Sequence, residues 1–153
     1  ENGANKMIKP EERDQLITTY CATFKGTADD IAQRCEILLA NDNDLFNDEQ
    51  KTWITHIQTA IQKFLSLVET VRQVAVTQGW AGKGPAEFDE FIAIWINDLR
   101  TPLSVVIGFA RFLLEGGRGL LNDKQQEAIE YVYKLVQSLL STIIEFRISS
   151  RQE

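Results

Sequence analysis

The stretch Ile96-Asn97-Asp98-Leu99-Arg100-Thr101-Pro102-Leu103 decides the fold of this 153-residue chain. Its apolar residues recur at alternating spacings of three and four, which is typical of the buried face of a bundled α-helix. The spacing continues on both sides, in the seam Ile92, Ile96, Leu99, Leu103, Val106, Ala110 and Leu113. The stretch is therefore predicted to lie on a long helix whose apolar seam must pack against other helices.

An internal repeat supplies those other helices. The chain aligns with itself without gaps after a shift of 75 residues, which places Asn47-Asp48 on Asn122-Asp123, for example. The matching first-half seam is Ile17, Cys21, Phe24, Ala28, Ile31, Cys35 and Leu38. A second helix in each half has the seams Ile54, Ile57, Ile61, Phe64, Val68 and Val71, and Ile129, Val132, Val136, Leu139, Ile143 and Phe146. Each half is thus predicted to be a helical hairpin.

Turn-forming residues separate the predicted helices. Asn41-Asp42-Asn43-Asp44 follows the first helix, and Gly116-Gly117-Arg118-Gly119 follows the third. Asn47 and Asn122 are expected N-caps, because a glutamine three residues later completes a capping box in each case.

The glycine-rich segment 79–86 is predicted to link the hairpins, and its Trp80 is expected to fold back onto the bundle end. We assign residues 12–78 to the first hairpin and 87–151 to the second, within one domain of residues 1–153. A lone hairpin cannot bury its seam, but two hairpins can. The predicted fold is all-α, an antiparallel four-helix bundle made of two tandem helical hairpins.

Composition excludes several classes of function. The net charge of −6 argues against nucleic acids and anionic membranes as partners. The sequence contains no uninterrupted apolar run of roughly 18 residues, which would indicate membrane insertion. No secretory signal is visible either, so we expect a cytoplasmic protein. Cys21 and Cys35 are expected to be reduced core thiols. Without a cysteine–histidine cluster, we expect no metal, and no motif indicates a cofactor.

The quoted stretch resembles the phosphoacceptor motif of sensor histidine kinases, which reads His-Glu/Asp-Leu-Arg-Thr-Pro-Leu. Residues 98–103 fit the motif, while Asn97 occupies the position of the phosphorylated histidine. Residues 108–116 and 137–140 resemble further parts of the same domain, and Ala22 lies opposite Asn97 in the first half. A carboxamide has no nucleophilic nitrogen that can hold a phosphoryl group. The resemblance therefore implies a degenerate phosphoacceptor domain that is not an enzyme.

In that family, two chains each contribute one hairpin to a four-helix bundle. The resemblance implies that this chain mimics the whole dimer, as a monomer or a weak homodimer. No segment of the 153 residues is left over for the family's ATP-binding domain, so we expect no autophosphorylation.

The register predicts which motif residues face outward and could contact a partner. The possible docking residues are Asn97, Asp98, Arg100, Thr101, Ser104 and Arg111. In active relatives this site admits the aspartate of a response regulator. The leading hypothesis is a pseudo-histidine-kinase bundle that docks a receiver domain or kinase component without phosphotransfer. The alternative is that Asn97 is an ordinary exposed polar residue, and that Asp98 has a surface role or forms an ion pair with Arg100.

Other interpretations remain open at this stage. The bundle could be a structural relay segment of a larger sensor protein. It could also be a phosphatase, since the resemblance implies that Thr101 orients a water for dephosphorylation of a receiver. His56, the only histidine, matches Tyr131 rather than the acceptor position, and is expected to face solvent. Pro102 should kink its helix, whereas Thr27 at the matching first-half position should leave that helix straighter.

Overall fold

The structure, a computed structural model, describes residues 8–40, 46–80 and 82–151. The described helices are α1 (Pro10–Ala40), α2 (Asp48–Thr77), α3 (Pro85–Leu114) and α4 (Asp123–Ser150). Each helix packs against the next one in the chain, and α4 closes the ring by packing against α1. Over the described residues, α1 does not pack against α3, and α2 does not pack against α4, because these pairs lie at opposite corners of the ring. The predicted all-α four-helix bundle is confirmed.

The predicted apolar seams form the core. Every residue of the four seams is buried, from Ile17 at one end of α1 to Phe146 near the end of α4. Phe24 lies at the centre of an aromatic cluster to which each helix contributes: its ring lies 6.1 Å from Phe64, 6.1 Å from Trp95 and 6.0 Å from Phe146. The two hairpins therefore share one core.

Helix α3 has the most apolar sequence of the bundle. Among the described helices, it is long and apolar enough to cross a membrane, judged by length and composition alone. In the bundle, its seam is buried against α2 and α4, and the polar residues Asn97, Asp98 and Arg100 lie on its exposed side. Part of this apolar content is the buried seam, and part is exposed, as at Ile94.

The predicted capping boxes are confirmed at the starts of α2 and α4. The Asn47 side chain accepts the backbone N–H of Gln50 at 2.7 Å, and the Gln50 side chain accepts that of Asn47 at 2.9 Å. Asn122 and Gln125 make the same two bonds at 2.8 Å each. These bonds satisfy backbone donors that no helical carbonyl can reach.

The structure describes the turn after α3 but not the turn predicted after α1. The predicted turn Asn41–Asp44 lies outside the described residues. After α3, Gly116 and Gly119 adopt positive φ angles of 79° and 117°, as expected for the glycines that end a helix.

Replacing Asn122 with alanine should lower the free energy of unfolding by about 1 kcal/mol, the usual value of an N-cap. Asn47→Ala should cost about 2 kcal/mol, because Asn47 Nδ2 also donates to the Arg118 carbonyl at 3.0 Å. That bond ties the start of α2 to the α3–α4 turn. Urea denaturation of both variants measures the difference. Asn47→Ser, which keeps the cap but loses the turn bond, should fall between wild type and Asn47→Ala; equal losses at the two caps would contradict this account.

Trp80 folds back onto the bundle end, as expected. Its side chain is buried, and its ring lies 5.3 Å from Phe88, edge to face, and 4.8 Å from Phe91. The linker is thereby packed against the start of α3 rather than extended into solvent.

The linker end also contains a buried charge that the sequence pattern did not predict. Arg13 is 4% exposed, donates to the Lys83 carbonyl at 3.1 Å and stands over the Phe88 ring at 5.3 Å.

Helix α3 starts at Pro85, earlier than residue 87, where the second hairpin was predicted to start. The fixed φ of proline suits the first helical position, which explains the earlier start.

Candidate functional site

The motif residues lie along the exposed side of α3. Ile96 and Leu99 are buried, and the two residues after each of them point away from the core. The structure exposes each predicted docking residue, namely Asn97, Asp98, Arg100, Thr101, Ser104 and Arg111. Ala22, the matching position of the first hairpin, is exposed on α1.

Two side-chain bridges join the exposed edges of α3 and α4. Near the linker end, Arg147 Nη1 contacts Asp89 Oδ1 at 2.9 Å. Nearer the α3–α4 turn, Arg111 Nη2 donates to the Tyr133 hydroxyl at 3.0 Å. Because the helices are antiparallel, residues 90–110 of α3 and 134–146 of α4 lie between these bridges. We call this surface, together with the residues of the two bridges and the last turn of α4 as far as Ile148, the α3–α4 face.

Exposed isoleucines distinguish the α3–α4 face from an ordinary solvated surface. Ile94 on α3 is 57% exposed, and Ile144 and Ile148 on α4 are 51% and 68% exposed. Ile94 lies one turn before Asn97, while Ile144 and Ile148 flank Arg147. Apolar side chains rimmed by arginines and small polar residues are typical of protein contact surfaces.

Of the two alternatives for Asp98, the ion pair with Arg100 is wrong. No salt bridge joins the two side chains, both of which belong to the described part of α3. Residues two apart on a helix point to different sides, so their charged groups do not meet. Both side chains are exposed and free to contact other molecules.

Thr101 is oriented by its own helix. Its Oγ1 donates to the Asn97 carbonyl at 3.3 Å, a common bond of helical threonines. The hydroxyl proton is therefore engaged, and the oxygen lone pairs remain available to accept a hydrogen bond from outside.

Pro102 lies inside α3 and is buried, which places its ring on the core side of the motif helix. Its missing N–H and its ring disfavour a regular helical turn with the Asp98 carbonyl. The kink itself, and the straighter course of α1 at Thr27, stay predictions.

The two tryptophans that flank the seams differ in burial. Trp53 is half-buried, but Trp95 is buried, and its Nε1 donates to the Leu67 carbonyl at 3.3 Å. A tryptophan can be buried when its N–H finds a partner, which here is a backbone carbonyl of α2.

His56 is exposed, as predicted, and lies away from the α3–α4 face. Its ring stacks on Phe109 at 5.1 Å, on the side where α2 packs against α3. It shares no site with Asn97.

The described cysteines carry no reactive site. Cys21 and Cys35 are free and buried, and desolvation raises the pKa of each thiol to about 12. Protonated, buried thiols are poor nucleophiles and poor metal ligands.

Comparisons with known proteins agree with the motif. Residues 89–153 match the family model "His Kinase A (phospho-acceptor) domain". The chain is also similar to the sensor protein EvgS of Escherichia coli (strain K12), with 32% identity over 77 residues. That alignment covers 50% of this chain and 6% of the relative, so the chain spans a small part of that protein's length. No solved structure matches the chain. The second hairpin of this chain is thus similar to the His Kinase A (phospho-acceptor) domain.

Proposed function

We propose that this chain is a non-catalytic module of two-component signalling, which docks a response-regulator receiver domain without phosphotransfer. The observation that carries the proposal is Asn97, exposed at the acceptor position of an otherwise matching motif. An amide cannot accept and pass on a phosphoryl group as imidazole does. The remaining surface residues can still contact a receiver domain or a kinase component.

Matched contacts support the further proposal that the chain is a tandem pseudo-repeat that mimics a dimer. His56 of α2 stacks on Phe109 of α3 at 5.1 Å. Shifted by 75 residues in opposite directions, this pair becomes Tyr131 of α4 and Arg34 of α1, whose guanidinium stands 4.4 Å from the Tyr131 ring centroid. At these positions the two interfaces between hairpins correspond, as they would in a symmetric dimer, which supports the proposal.

The experiment is a titration of the chain with purified receiver domains from the same genome, followed by isothermal calorimetry. We expect one or more receivers to bind, and no label to pass from a phosphorylated receiver to the chain. Arg100→Glu should weaken binding at least tenfold, because it reverses a charge on the α3–α4 face. Lys63→Glu, the same reversal on the exposed side of α2, should change binding less than twofold. Failure of every receiver to bind would overturn the proposal.

The orientation of the Thr101 hydroxyl favours phosphatase activity as a second candidate function. Its exposed oxygen can accept a hydrogen bond from a water aimed at a phosphorylated aspartate, since its proton is bound to the Asn97 carbonyl. If this holds, the chain accelerates loss of label from a phosphorylated receiver, and Thr101→Ala abolishes the acceleration. Equal rates with and without the chain would exclude it.

A relay role is the third candidate function. It is favoured by the small share of the relative's length that the alignment covers. The sensor protein EvgS contains its matching segment within a far longer chain. Sensor or output domains flanking this sequence in the full gene would support a cytoplasmic relay segment, whereas a free-standing reading frame would count against it.

A further inference from the structure

The two hairpins present different surfaces at corresponding positions. Each exposed isoleucine of the α3–α4 face has a polar counterpart 75 residues earlier in the chain. The pairs are Ile94 with Thr19, Ile144 with Glu69, and Ile148 with Gln73. We call the surface that carries these polar counterparts the α1–α2 face.

Ionic contacts occupy the α1–α2 face. Glu69 Oε2 accepts from Arg72 Nη2 at 2.7 Å and from Gln73 Nε2 at 2.9 Å. These hydrogen bonds, with that of Arg72 first, lower the pKa of Glu69 to about 2, so the carboxylate stays ionised. Lys25 and Asp29 pair at 2.7 Å and line the same open depression as Glu69. A partner's apolar side chain placed here would have to desolvate these charges.

The bridge that frames the α3–α4 face is missing from the α1–α2 face. Asp89 and Arg147 correspond to Asp14 and Arg72 under the same shift. Arg72 instead pairs with Glu69, and the Asp14 carboxylate lies against Gly79 of the linker, where a Cβ on that glycine would fall 2.8 Å from Asp14 Oδ2. The linker, which has no counterpart between the hairpins of two separate chains, has therefore changed the contacts of this edge.

We propose that the chain docks one receiver domain, on the α3–α4 face alone, with Ile144 at the contact and the α1–α2 face closed to the same partner. The inference rests on the proposed function and adds its stoichiometry and its contact residue. The partner presents an apolar helix surface, because the three exposed isoleucines complement such a surface. Its binding covers the three exposed isoleucines, whereas the corresponding positions of the α1–α2 face are polar.

The test is calorimetry with each receiver domain that binds, supported by the mass of the complex from light scattering. We expect one receiver per chain. Ile144→Glu, which installs the residue found at the matching position of the first hairpin, should weaken binding at least tenfold. Val76→Gln, a change at a 59% exposed apolar residue of α2, is the matched control and should change binding less than twofold.

The reverse substitution, Glu69→Ile, tests whether the ionised carboxylate closes the α1–α2 face. It removes the partner of Arg72 and should leave the first receiver's affinity unchanged. Circular dichroism of each variant verifies the bundle, and since Ile144 and Glu69 are exposed or half-exposed, the helical content should be that of wild type.

Each outcome decides between the two proposals. A complex with two receivers per chain, or one that Ile144→Glu leaves unchanged, would overturn this inference while the proposed function stands. The absence of any complex would overturn the proposed function and the inference together.

Discussion

Replacing Phe24 with alanine is expected to lower the free energy of unfolding by about 3–5 kcal/mol. The side chain is fully buried, and its ring contacts an aromatic ring from each of the other helices: Phe64 of α2, Trp95 of α3 and Phe146 of α4. Alanine would leave a cavity where both hairpins meet, and close packing cannot fill it without moving several helices. Urea denaturation followed by circular dichroism measures the loss.

A double-mutant cycle with Phe146→Ala tests whether the loss comes from contact between the hairpins. The two rings lie 6.0 Å apart in an edge-to-face arrangement, on α1 and α4. We expect a coupling energy of at least about 0.5 kcal/mol, the lower value for residues in contact. A loss below about 1 kcal/mol for Phe24→Ala, with no coupling to Phe146, would mean that the hairpins do not share this core.

Introducing proline at position 27 should lower the free energy of unfolding by about 3 kcal/mol. Thr27 lies in the interior of α1, where a proline ring would clash with the Thr23 carbonyl and remove a helical hydrogen bond. The matching position of α3 already holds Pro102, whose cost the wild-type protein carries. Chemical denaturation of the single variants measures both positions on one scale.

Pro102→Ala is the matched variant, and it should stabilise the bundle. Alanine restores a donor to the Asp98 carbonyl and recovers about 3 kcal/mol of helix propensity. Loss of buried ring carbons offsets roughly 1–2 kcal/mol of this gain. A net rise of about 1–2 kcal/mol is expected, and a fall would show that the ring's packing outweighs the cost of a proline inside the helix.

The seams were predictable because burial in a bundle follows helical periodicity, a property of the local sequence. Each residue from Ile92 to Leu113 that the spacing of three and four selected is buried. The capping boxes at Asn47 and Asn122 were predictable for the same reason, since every atom involved lies within four consecutive residues.

Contacts that depend on how elements approach each other were not predictable. The burial of Arg13 follows from the path of the linker, whose Lys83 carbonyl accepts its hydrogen bond. At the candidate site, the register predicted that Asn97 and Arg100 are exposed. It did not predict the bridges Arg111–Tyr133 and Asp89–Arg147, which require the axial alignment of α3 with α4. The periodicity of one helix holds no information about that alignment.

The absolute molar mass of the full chain in solution, measured by light scattering over a series of concentrations, most directly tests whether one polypeptide closes this bundle by itself. The shared core around Phe24 requires no second molecule, so the mass should be that of a single chain, 17.4 kDa, throughout the series. A mass of twice that value persisting at the lowest concentration would show that neighbouring molecules complete one another, contrary to this account.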